Sequence, residues 1–138
     1  EGILPSAEAD SSDWTPASGT DNAAMVDDIP PDDDTSYVES NTEDAKDLYD
    51  YANLSTITTE TILGLQVNTD ARMNAFPGDL DLYQSIKSGS TTSDGQPANI
   101  AIDEYEVATR ILETDPDTSS AWIVSGVNAA QFGVKVGT

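Results

Sequence analysis

Between Leu63 and Met73 the chain alternates strictly: Leu63, Leu65, Val67, Thr69, Ala71 and Met73 are separated by Gly64, Gln66, Asn68, Asp70 and Arg72. A period of two places the first set on one face of a strand and the second on the other, whereas a helix would bring every third or fourth residue together. Leu80, Leu82, Gln84 and Ile86 alternate in the same way with Asp81, Tyr83, Ser85 and Lys87. The polar stretch Asn74-Ala75-Phe76-Pro77-Gly78-Asp79 between the two runs predicts a hairpin loop joining an antiparallel pair. Near the end, Ala130, Phe132, Val134 and Val136 alternate with Gln131, Gly133 and Lys135.

Weaker signals fill the intervals. Tyr105, Val107, Thr109 and Ile111 define one face of a further strand, although Val107/Ile111 and Ala108/Leu112 also satisfy a helical spacing; strand is the favoured reading. Residues 36–40 and 48–51 read as short strands pairing across the turn at 41–44. Gly89, Ser93-Asp94-Gly95 and Pro97 punctuate a turn region over residues 88–97. Asp115-Pro116-Asp117-Thr118 ends a strand and caps a short helical turn over residues 119–127, in which Trp122 supplies a large body to bury. Many short strands, many turns and no long amphipathic helix predict an all-β fold, an antiparallel β-sandwich over residues 35–138.

Residues 1–34 are rich in Ser, Ala, Asp and Pro, with isolated large apolar side chains at Ile3, Leu4, Trp14, Met25 and Val26. Alone, such a segment does not repay the entropy of its own ordering. It is predicted to be an extended N-terminal arm that docks on a partner through Ile3, Leu4 and Trp14. The alternative is that it supplies the first strands of its own sandwich, with Trp14 in the local core. The start at Glu1 rather than Met reads as a trimmed N-terminus.

The 26 acidic residues outnumber the 5 basic ones, for a formal net charge of -21. Such a chain repels nucleic acid, and Lys46, Arg72, Lys87, Arg110 and Lys135 are scattered singly rather than gathered into a phosphate-binding patch. Asp-rich, Lys-poor surfaces suit media whose ions screen the repulsion, and the expected setting is marine or of high salt. No apolar run approaches the length of a membrane span, and the first residues lack the regions of a signal peptide.

With no Cys and no His, thiolate catalysis, the Ser-His-Asp arrangement and thiolate-ligated metals are ruled out. Carboxylate pairs are too numerous to single out a glycosidase centre, and no enzyme activity is expected. Asp27, Asp28, Asp32, Asp33 and Asp34 supply the hard oxygen donors that calcium takes, without the spacing or glycine of a helix-loop-helix site; a solvated acidic run held extended by Pro30 and Pro31 is the favoured reading. Trp14, Trp122, Tyr37, Tyr49, Tyr51, Tyr83 and Tyr105 serve a core or an interface more readily than a sugar-stacking platform. Asn53-Leu54-Ser55 matches an N-glycan acceptor.

Several segments in order, namely Asp13-Trp14-Thr15-Pro16, Val26-Asp27-Asp28, Asp32-Asp33-Asp34-Thr35-Ser36-Tyr37-Val38 and Ser88-Gly89-Ser90-Thr91-Thr92-Ser93-Asp94-Gly95, carry a resemblance. It continues through Glu113-Thr114-Asp115-Pro116-Asp117-Thr118, Ala121-Trp122, Val127-Asn128-Ala129 and Gly133-Val134-Lys135-Val136. The chain is similar to a family of small structural proteins of tailed phages. The resemblance implies a jelly-roll or concanavalin-like sandwich and a place on the virion exterior, as a capsid decoration protein that contacts other virion subunits and forms a homo-oligomer on the particle. A receptor-binding or carbohydrate-binding module of a tail or fibre is the alternative. No catalytic residue and no cofactor is carried over.

Overall fold

In a computed structural model, which describes residues 1–74 and 80–138, the chain forms an antiparallel all-β fold with one short helix. The principal sheet runs in the order β1 (Pro5–Ser12), β4 (Lys46–Tyr51), β10 (Gln131–Gly137), β6 (Asp81–Ser88), β7 (Thr91–Ser93), and β8 (Pro97–Ala98) also pairs with β6. Two further strands, β5 (Leu65–Ala71) and β9 (Glu106–Leu112), make a separate ribbon, and β2 (Thr15–Pro16) pairs with β3 (Val38–Glu39). The ribbon is the second layer. Gln84 of β6 ties the layers together, its Nε2 donating to Val67 O at 3.1 Å, Ala108 O at 3.2 Å and Thr69 Oγ1 at 3.0 Å.

Cross-strand partners share a face, so the register puts Ile86, Phe132 and Tyr49 in one row and Gln84, Val134 and Asp47 in the next. Over that face pack Ile62, Leu112, Trp122, Val127 and Ala130, with Ile3, Tyr51, Leu54, Ile57, Leu65, Val67 and Val124 around them. Tyr51 meets Phe132 edge to face, with ring centroids 5.4 Å apart and planes at 81°. Burial pushes the Tyr51 hydroxyl up to about 12. Trp122 is buried, as its size demanded.

Three alternating runs are strands with the expected inward faces: Leu65, Val67, Thr69 and Ala71; Leu82, Gln84 and Ile86; Phe132, Val134 and Val136. Their pairing differs from expectation. β5 does not pair with β6 but crosses to the second layer and pairs with β9, Leu65 opposite Leu112 and Ala71 opposite Glu106. The hairpin loop expected over residues 74–79 lies, but for Asn74, outside the described residues. Nor do the two short strands pair across residues 41–44. β3 joins β2 instead, because β4 is held on both edges by β1 and β10.

β9 is a strand, not a helix, but the line Val107, Thr109, Ile111 faces out while Ala108, Arg110 and Leu112 face in. The reason is steric and electrostatic: the inward face lies over Gln84 and Ser93, where Arg110 satisfies carbonyls that an aliphatic side chain would leave bare. The helix is α1 (Val124–Ala129), displaced from the expected turn because Asp115 shapes residues 115–120 into a loop of their own. Ser119 N donates to Asp115 O at 2.8 Å, and Ser119 takes a φ of 56°.

That loop is locked to the β6–β7 turn. Asp117 Oδ1 accepts from Thr91 Oγ1 at 2.8 Å and Ser90 N at 3.3 Å, while Gly89, at φ 52°, leaves the carboxylate room that a Cβ would fill. Burial opposes ionisation of Asp115, but hydrogen bonds from Ser88, the Asp117 N–H and Thr118 prevail and hold its carboxyl below the usual value of 3.8. Asp115 thus binds its proton more weakly folded than unfolded, so its stabilisation is complete above the unfolded value and drains as pH falls through the lower folded one. Urea midpoints measured from pH 7 to pH 2 should show an acid loss that shrinks in Asp115→Asn.

The net charge of -21 opposes compaction throughout. Four of the five cations are already held by carboxylates: Lys46 by Asp94 at 2.8 Å, Arg72 by Asp34 at 2.8 Å, Lys135 by Asp44 at 2.7 Å, and Lys87 by Asp10. The remaining repulsion is what dissolved ions relieve. Thermal unfolding in molar salt should have a midpoint higher by about 4 °C or more than in 20 mM buffer, roughly the shift that 1 kcal/mol brings to a domain of this size. Equal midpoints would contradict this.

Candidate functional site

The chemistry-bearing side chains fall into three groups, two of which are structural. The first centres on Asp47, which is fully buried in β4. Its Oδ1 accepts from Trp14 N at 2.8 Å, and its Oδ2 accepts from Asn22 Nδ2 at 2.6 Å and from Tyr49 OH at 2.9 Å. Asn22 Nδ2 also donates to Trp14 O, Asn22 N to Glu8 Oε1, and Trp14 Nε1 to Ala45 O at 3.2 Å. Burial and then Asp47 push the Tyr49 hydroxyl far above its ordinary value, so it stays a donor. The group is closed on itself and pins residues 13–25 to the sheet.

It also decides where the expected docking residues lie. Residues 5–12 are the edge strand of the principal sheet, Glu8 opposite Tyr49 and Ser12 opposite Asp47. Trp14 is half-buried in the Asp47 group, Ile3 packs on the core, and Leu4 O accepts from Ala52 N at 3.1 Å. Glu1 is held as well: Oε1 accepts from Ser55 N and Oγ, Oε2 from Thr56 N and Ile57 N, all within 3.0 Å, and these backbone donors bring its carboxyl down to about 2. Of the two readings of residues 1–34, the segment adopts the one that supplies the first strands. Ile3, Leu4 and Trp14 are engaged within the chain.

The second group is the acidic run. Asp28 and Asp32 share the Ser36 hydroxyl, at 3.2 Å and 2.6 Å, and Asp34 is taken by Arg72 and by Tyr105 OH at 3.0 Å. Asp27, Asp33 and their neighbours are exposed. Among the described residues no three carboxylates gather as a metal would require.

The third group is the outer side of the ribbon and the cleft beside it. Val107 and Ile111 are 61% and 59% exposed on one face of β9, with Thr109 between them. A cleft of about 600 Å³ is lined by Ala108, Thr109, Arg110 and Ile111 of β9, by residues 95–99 and by Gln84. Four consecutive residues of a strand border one cleft only if the strand presents its edge to it, since alternate side chains point to opposite faces. Among the described residues that edge of β9 has no strand partner.

Arg110 anchors the site. Its Nη1 donates to Gln84 O at 2.6 Å and Ser93 O at 2.9 Å, and its Nη2 to Ser93 Oγ at 2.6 Å. Among the described residues it is the one cation with no carboxylate within 4 Å, and burial lowers the affinity of its guanidinium for the proton. It fixes β9 to β6 and β7, so the cleft walls hold their spacing.

No family model, no curated protein and no solved structure matches this chain. The ribbon site therefore rests on its own geometry. The spacing marks Val107, Thr109 and Ile111 as one face of a strand without saying which way that face turns; it turns outward, and Arg110 on the opposite set turns inward to meet carbonyls.

Proposed function

We propose that this chain is a non-catalytic structural module that docks on a larger assembly, its first setting being the exterior of a tailed virus as a capsid decoration protein. The observation that carries the reading is the row Val107, Thr109 and Ile111, exposed along one face of a strand in a chain of net charge -21, whereas the other large exposed apolar side chains among the described residues, Ile29, Leu63, Ile102 and Ile123, lie outside the strands. β-branched side chains in a row are costly to leave in water and are what a subunit contact covers. The interior supports the same reading: the buried Asp47 and Asp115 carboxylates and the partly buried Arg110 guanidinium are engaged with backbone and side chains of the chain itself. Partners are then other virion proteins, and the acidic faces keep neighbouring copies apart.

The test is co-sedimentation with particles of the encoding virus from which the chain has been removed. Binding at about a hundred copies or more per particle supports decoration, and a dozen or fewer indicates a tail appendage. Failure to bind at any ratio sinks the docking role. Val107→Asp with Ile111→Asp should abolish binding while leaving the chain folded, its unfolding free energy lower by about 2 kcal/mol or less, because both positions are exposed and each loses a strand-favouring side chain.

A further inference from the structure

We propose that the cleft beside β9 receives an extended, Lys- or Arg-flanked polypeptide segment of a partner protein, which adds to β5–β9 as a third strand. The inference rests on the docking reading and names the part of the partner that is docked.

Its basis is the edge itself. In an antiparallel pair half of each strand's N–H and C=O groups point away from the partner; among the described residues β9 has β5 alone as a strand partner, and residues 108–111 border the cleft. Natural sheets blunt such edges with lysine, proline or a bulge; β9 reads Glu-Val-Ala-Thr-Arg-Ile-Leu, holds a regular register with β5 over all seven pairs, and has Glu106 at its exposed end and the anchored Arg110 as its charges. Contrast the opposite end of the molecule, where β1 is an edge strand broken by two register shifts and lined with Glu8 and Asp10. The four bordering residues of β9 span about 13 Å, enough for a four-residue extended segment. The far wall is lined by Gln96, Pro97, Ala98 and Asn99, where β8 has one edge on β6. An inserted strand takes its main-chain partners from β9, since Pro97 on the far wall offers no N–H, and its alternate side chains lie beside Thr109 and Ile111.

Charge selects the occupant. Glu106 and Glu113 are exposed at the two ends of β9, and four of the five cations are already neutralised in ion pairs. A second copy of a chain of -21 is repelled, whereas a segment with basic residues at both ends is drawn in.

The full chain is titrated with a peptide of alternating Val and Thr flanked by two Lys at each end, followed by backbone amide shifts and hydrogen exchange. Expected are shifts and slowed exchange confined to residues 107–111 and 95–99. Methylating alternate peptide nitrogens should weaken binding by about tenfold or more, as should Val107→Lys with Ile111→Lys in the chain. Equal affinity of the methylated peptide, shifts elsewhere, or no shift at millimolar peptide overturns the proposal. So does self-association of the chain through β9 in molar salt, which would make a second copy the occupant. Particle binding separates the two readings: if the unaltered chain docks and excess peptide does not compete with the particles, the cleft is not the contact although docking stands. If the unaltered chain does not dock, the peptide titration still decides the cleft.

Discussion

Gly133→Ala is expected to leave no stably folded protein. Gly133 lies opposite Leu48 where β10 runs against β4, and a Cβ there would sit 2.0 Å from the Asp47 carbonyl oxygen and 2.9 Å from its carbon. Both are backbone atoms of the central pair, so relief requires the two strands to part. Ordinary overpacking costs about 1–3 kcal/mol. Here the ladder from Gln131 to Lys135 goes with it, and the expected loss is about 4 kcal/mol or more, most of the margin of a small domain. Gly137→Ala is the control. Its Cβ would meet the edge of the Tyr83 ring at 2.8 Å, a side chain that can swing, and the cost should be about 1 kcal/mol. Circular dichroism and urea midpoints compare the two, and equal losses would contradict the account.

Asp47→Ala should cost about 3–5 kcal/mol, the range found when one member of a buried polar group is removed and its partners are left unpaired. Three donors lose their acceptor at once: the Trp14 N–H, the Asn22 amide and the Tyr49 hydroxyl. None can turn to water without opening the sheet edge. Tyr49→Phe removes a single donor and leaves the carboxylate two, so about 1 kcal/mol is expected. Trp14 reports the difference directly. Its fluorescence should move toward that of solvated indole in Asp47→Ala below the unfolding transition, and stay unchanged in Tyr49→Phe. An unfolding free energy for Asp47→Ala within about 1 kcal/mol of the parent would show that the three donors find other partners.

What could be read from sequence follows from how each strand is sheltered. Residues 65–71 and 131–137 have neighbours that impose a clear period of two, and their faces were legible. Strand partners were not: adjacency along the chain pointed to β5 with β6, yet the inward Gln84 needs the carbonyls of a second layer, and only β5 crossing over to β9 provides them. β1 stood only as the alternative to an arm, because an edge strand of Ser, Ala, Glu and Asp carries no hydrophobic rhythm. Asp47, in Lys-Asp-Leu-Tyr-Asp-Tyr, looks like any other acid of an acidic chain; its burial is decided by Asn22 and Trp14, far away in sequence. The ribbon site was half legible: Val107, Thr109 and Ile111 shared a face, but the period of two does not say which way a face turns.

The Asp47 group joins residues that lie on both sides of an exposed connection. Trp14 and Asn22 precede the acidic run at 27–34, Asp47 and Tyr49 follow it, and β1 lies along β4 regardless of what links them. Covalent continuity through the acidic run therefore adds little to what holds the two parts together. A protease that cut there would leave a nicked molecule whose short piece stays seated in the sheet, and a foreign loop spliced in at the same place would be carried outside the fold as a passenger.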